Sequence, residues 1–144
     1  MSKQKVISSA LPVMVAVLSS FCSVSFLPTA LAEQNQTSTP LVVFVFDKSC
    51  KISCNSVRPL IRELQSQYTD RVNFVELDVS KDTIKDSETT AKSLGVSAFL
   101  SETEDWYPAV GVFSSKRKLV KQILGAKTKD KYQEAIEKAI ASNK

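Results

Sequence analysis

The sequence predicts an α/β domain, a central mixed four-stranded sheet with helices on both faces. Three observations carry that expectation. Residues 41–46 read LVVFVF, an uninterrupted β-branched and aromatic run of the kind buried on both faces of a sheet. Strand-like and helix-like segments alternate behind it, which makes a right-handed parallel crossover the simplest link between the first two strands. Residues 128–141 then place Tyr132, Ala135, Ile136, Ala139 and Ile140 on one helical face.

Taken in order, the LVVFVF strand breaks at Asp47-Lys48-Ser49-Cys50, a loop. Val57, Leu60, Ile61, Leu64 and Tyr68 recur at helical spacing, so a helix runs to about Tyr68, with Pro59 inside it as a bend. Thr69-Asp70 makes a turn, and residues 71–79 (RVNFVELDV) read as the second strand. Residues 80–93 are polar with a weak helical period, and Gly95 is a helix stop. Residues 96–107 carry Glu102, Glu104 and Asp105 around Phe99, Leu100 and Trp106, and read as an excursion outside the core. Residues 109–113 form a third strand and residues 114–118 (SSKRK) a hairpin turn. A fourth strand over residues 119–124 is closed by Gly125, and the amphipathic helix follows.

The chain has 144 residues, enough for one ordinary domain, and at 43% hydrophobic and 24% charged it can build a core. The start of the chain is set apart. Lys3 and Lys5 precede an apolar stretch over residues 11–31 that ends in Ala30-Leu31-Ala32, the parts of a secretory signal peptide. Pro12, Pro28 and several serines make that stretch a poor permanent span. Cys22 follows Phe21, where lipoprotein cleavage needs a small residue, which argues against lipid attachment. The expected division is a signal peptide over 1–32, a flexible lead-in over 33–40 (ending QTSTP) and a domain over 41–144. Export to a periplasm or a thylakoid-type lumen follows, and disulfides persist in such compartments. Retention of the leader as an uncleaved anchor is the alternative, and the only membrane contact expected.

Removing Lys3 and Lys5 with the leader lowers the net charge from +4 to +2, too mild to imply nucleic acid or a membrane surface. Histidine is absent, which excludes Ser-His-Asp and Cys-His catalysis, imidazole metal ligands and a histidine pH switch. No cofactor or metal is expected. Chemistry must run on thiols, carboxylates, lysines or hydroxyls.

Cys50 and Cys54 follow the first strand and open the first helix. Sites in α/β sheets collect at the carboxyl ends of strands. A cysteine at a helix N-terminus is favoured as thiolate by the exposed N–H groups and the helix dipole, and Lys48, Lys51 and Arg58 are expected to add positive charge. The pair reads as a redox dithiol in which one thiolate attacks a disulfide and the other resolves the mixed disulfide. A structural bridge is the alternative.

Several pieces in this order resemble the thioredoxin-like superfamily over residues 41–140. They are LVVFVF, the cysteine pair after it, Cys54-Asn-Ser-Val-Arg-Pro59 with its proline five residues after the second cysteine, Tyr107-Pro108 before a strand, and Gly125 with the final helix. The resemblance implies thiol–disulfide exchange with protein thiols, disulfides or a redox partner. It assigns Cys50 and Cys54 to catalysis, and Pro108, Tyr107 and Trp106 to substrate binding. It further implies that Pro108 is cis, packs against the pair and offers its backbone to an extended peptide.

The chain departs from the family pattern at identifiable places. Its spacing is C-x-x-x-C, one residue longer than C-x-x-C. Because residues i and i+4 of a regular helix stand about 5–6 Å apart at Cβ and a disulfide needs about 3.8 Å, Cys50 must precede the helix or the first turn must distort. Ser49 stands where the family carries tryptophan, and Phe44 or Val45 where many members carry a buried acid that relays protons. C-x-x-x-C on such a scaffold also resembles Sco-type copper-delivery proteins, but these add a histidine ligand that this chain lacks. A non-catalytic binding module with a Cys50–Cys54 staple is the second functional reading.

Overall fold

The structure, a computed structural model, describes residues 39–142. The leader over 1–32 and all but the last two residues of the lead-in lie outside the described residues. Within them the order is β1 (Leu41–Phe46), α1 (Ser53–Gln67), β2 (Asn73–Asp78), α2 (Ile84–Leu94), α3 (Ser97–Thr103), β3 (Ala109–Phe113), β4 (Leu119–Leu124) and α4 (Lys129–Ala141). No described helix is long and apolar enough to cross a membrane.

The strands form one mixed sheet in the order β2-β1-β3-β4. β1 pairs with β2 in parallel, Leu41 opposite Asn73 and Phe46 opposite Asp78. It pairs with β3 antiparallel, Phe44 opposite Val110 and Val45 opposite Ala109. β3 and β4 form the antiparallel hairpin, with an irregularity at Val112/Phe113.

Because successive side chains of a strand point to opposite faces, the apolar run of β1 divides between two cores. Val42 and Phe44 join Val57, Ile61 and Leu64 of α1 and Tyr132 and Ile136 of α4. Leu41, Val43 and Val45 join Ala91 of α2 and Phe99 and Leu100 of α3. α1 is a single helix through Pro59. α2 ends where expected: Gly95 takes φ 72°, its N–H reaches Lys92 O, and Val96 N–H reaches Ala91 O. That pair of bonds is a Schellman cap, which requires a left-handed residue best supplied by glycine.

One element corrects the sequence reading. Residues 96–107 are not an excursion, because α3 within them is part of the core. Val96, Phe99, Leu100 and Thr103 are buried and recur at helical spacing, while Ser101, Glu102 and Asp105 face solvent. Of the acidic residues, Glu102 lies on the outer face of α3, and Glu104 and Asp105 stand in the turn that follows it. The fit of α3 depends on Gly111, where an added Cβ would lie 2.7 Å from both Phe99 and Phe113. The bare backbone of β3 admits the Phe99 ring, which meets Phe113 edge-on with centroids 5.4 Å apart.

Candidate functional site

The sheet register gathers the site at one end. β1 ends at Phe46, opposite Asp78 of β2, and Val45 faces Ala109 of β3. The loop carrying Cys50, the segment after Asp78 and the residues just before Ala109 therefore emerge together, at the carboxyl end of β1.

Cys50 and Cys54 form a disulfide with Cα atoms 5.5 Å apart. The geometric demand of the five-residue spacing is met in the first of the two foreseen ways. Cys50 lies in the loop, three residues before α1 begins at Ser53, and Cys54 is in its first turn. Cys54 is buried at 1% exposure, whereas Cys50 is partly exposed. The Cys54 backbone N–H donates to Cys50 Sγ at 3.3 Å, and Ser53 Oγ lies 3.2 Å from the same sulfur. Neither contact requires a side-chain cap at Ile52, and no acidic residue occupies the first turn to oppose a negative sulfur.

Two of the three expected positive charges are engaged in ion pairs. Lys48 Nζ pairs with Asp78 at 3.3 Å and Asp82 at 2.9 Å. Arg58 lies over the Phe46 ring, 4.1 Å from its centroid, and pairs with Glu76 at 3.4 Å. Both charges have acidic partners distant in sequence, which local charge counting does not see. Lys51 is exposed and has no ion pair among the described residues.

Lys48 instead ties the cysteine loop to the turn after β2. Its backbone N–H donates to Ser80 Oγ at 2.9 Å. Burial pushes the Asp78 carboxyl upward, but donation by the Ser80 hydroxyl and backbone N–H and by Lys48 outweighs it, so the net shift is down. The hydrogen bond from Lys48 also lowers Asp82 and correspondingly raises Lys48. Phe44 and Val45 are fully buried and apolar, so β1 carries no carboxylate.

The Tyr107–Pro108 peptide is cis. Pro108 is buried, Tyr107 is 36% exposed and Trp106 is 67% exposed. Pro108 has no backbone N–H, and its carbonyl accepts from Gly125 N–H at 2.8 Å. Ile52, between the cysteines, is 90% exposed and gives the rim an apolar point that the sequence reading did not select, as it did not select Ser53. No group of three or more metal-ligating side chains occurs among the described residues.

No protein-family model matches the chain, and no curated protein matches it. Solved structures do. One comes from work on thiol resolution in yeast mitochondrial 1-Cys peroxiredoxin through the glutathione/thioredoxin systems, at 22% identity and TM-score 0.48, covering 71% of this chain and 80% of that one. Another is a thiol:disulfide interchange protein of the thioredoxin family from Chlorobium tepidum TLS, at 16% identity and TM-score 0.51, covering 73% and 82%. The fold is thioredoxin-like. At its site stands a Cys50–Cys54 disulfide, which fits redox chemistry of a general kind.

Proposed function

We propose that the chain is an exported thiol–disulfide exchange protein acting on protein partners. The observation that carries this reading is the asymmetry of the pair: Cys50 is accessible and its sulfur meets the N–H of Cys54 at the helix mouth, while Cys54 is buried behind it. In the reduced protein, the Cys50 thiolate attacks one sulfur of a partner disulfide and forms a mixed disulfide, and the partner's other sulfur leaves as thiolate. Cys54, deprotonated, then attacks Cys50 Sγ, closes the intramolecular disulfide and releases the partner's second thiolate. Two electrons pass from the pair to the partner, and an external dithiol returns them; run backwards, the same steps oxidise a partner. Trp106, Tyr107 and Ile52 form the exposed apolar rim on which the partner peptide rests, and Tyr107 supplies the backbone pairing.

Trapping tests the assignment. Cys54→Ser should accumulate mixed disulfides with a disulfide-bonded client and Cys50→Ser should not; the opposite pattern reverses the two roles. The burial of Cys54 and the lack of a β1 carboxylate favour a second reading, a binding module in which the bridge is a staple. A glutathione titration separates the two. A potential between about −270 and −120 mV supports turnover, and one below about −300 mV marks a structural bridge. Export rests on the sequence of residues 1–32, and the N-terminus of protein recovered from a periplasm or lumen checks it, with Glu33 expected first.

A further inference from the structure

β4 is the outer strand of the sheet, so one of its backbone edges faces no other described strand. Beside that edge, between β4 and α4, lies a groove of about 430 Å³. Its floor is apolar, with Ile123 at 7% and Ala135 at 4% exposure. Its rim is basic: Lys121 comes from β4, Lys127 from the following loop, and Lys131 and Lys138 from one face of α4. The only acid lining it is Glu134, which is paired with Lys131 at 3.4 Å. Lys121, Lys127 and Lys138 have no ion pair among the described residues.

We propose that this groove binds an extended acidic peptide of a partner protein, which adds to β4 as a fifth strand. Unpaired N–H and C=O groups of an edge strand are the template for such addition, and the lysines select carboxylates in the incoming strand. From Lys131 to Lys138 the helix rises about 10 Å, the length of about three residues of extended chain. Lysine on an edge strand often serves only to prevent pairing. Here three of the four lysines lie off the strand, and β4 leaves Leu119 and Leu124 exposed at 39% and 43%, which is poor protection. A peptide fits better than a nucleic acid strand, since the groove has no aromatic side chain on which a base could stack.

Fluorescence anisotropy of the full chain with a labelled hexapeptide alternating Glu and Val tests the proposal. Binding should weaken as salt is raised and should fall about tenfold for the K131E/K138E double variant. Both lysines are exposed, and an unchanged unfolding midpoint shows that the variant is folded. The same peptide N-methylated at alternate amides should not bind. Absence of binding, equal binding by the double variant, by the N-methylated peptide or by a Lys-Val hexapeptide, or preference for an oligothymidylate overturns the proposal. The result is independent of the Cys50–Cys54 chemistry, because none of these lysines belongs to that site.

Discussion

At the scale of single residues, two donors lie within reach of the Cys50 sulfur, the Cys54 N–H and the Ser53 hydroxyl. Hydrogen bonds to a charged acceptor contribute about 1.5–3 kcal/mol, enough to change the thiolate population severalfold or more. Removing the hydroxyl in Ser53→Ala should slow alkylation of the reduced Cys50 by iodoacetamide at pH 7 by about tenfold and shift the rate–pH profile to higher pH. An unchanged profile would leave Ser53 with no part in activation. The pairing of Cys50 with Cys54 was legible because cysteine carries its chemistry in its identity. Ser53 was not, since a serine at a helix start reads as a local polar residue until the sulfur is placed beside it. The acidic partners of Lys48 and Arg58 were hidden for a related reason: Asp82 and Glu76 are separated from them along the chain and come near only in the fold.

Among the elements, periodicity was informative wherever a segment was long or uniformly apolar. All four strands, α1, α2 and α4 were readable from it. α3 was not, because seven residues make less than two full helical turns, and three acids nearby dominate the composition. Its energetic weight is nonetheless large. Phe99→Ala removes the ring that fills the space over Gly111 and should destabilise the protein by about 3–5 kcal/mol in urea denaturation. Gly111→Ala attacks the same contact from the other side. Its methyl meets two rings at 2.7 Å, so overpacking should cost about 1–3 kcal/mol. If the segment were a surface excursion, Phe99→Ala would be close to neutral, whereas Gly111→Ala would still meet Phe113 of β3. The two substitutions share one contact, and their combined effect should differ from the sum.

For the molecule as a whole, what matters is how the cysteine loop is held. Residues 47–52 contain no helix or strand, yet the segment is fixed at Cys54 by the disulfide and at Lys48 by the turn after β2. Reduction releases the first of these ties. Closing so small a loop is worth about 2 kcal/mol on the chain-entropy account, so the reduced protein should remain folded with a lower denaturation midpoint. The second tie is electrostatic and responds to pH. Asp78 and Asp82 titrate below their ordinary values in the folded protein, so their contribution is present above about pH 4, the unfolded carboxylate range, and is lost as pH falls through the folded values. Lys48 titrates above its ordinary value, so its contribution is complete below about pH 10 and is lost as pH rises through the folded value. Lys48→Met should therefore flatten both limbs of a plot of urea midpoint against pH. The acid limb should flatten only in part, because the Ser80 hydroxyl and N–H still donate to Asp78. Added salt should reduce the difference between variant and parent, since Lys48 and Asp82 are exposed. Identical pH profiles for the two proteins would show that the loop is held by the disulfide and the Lys48 backbone alone.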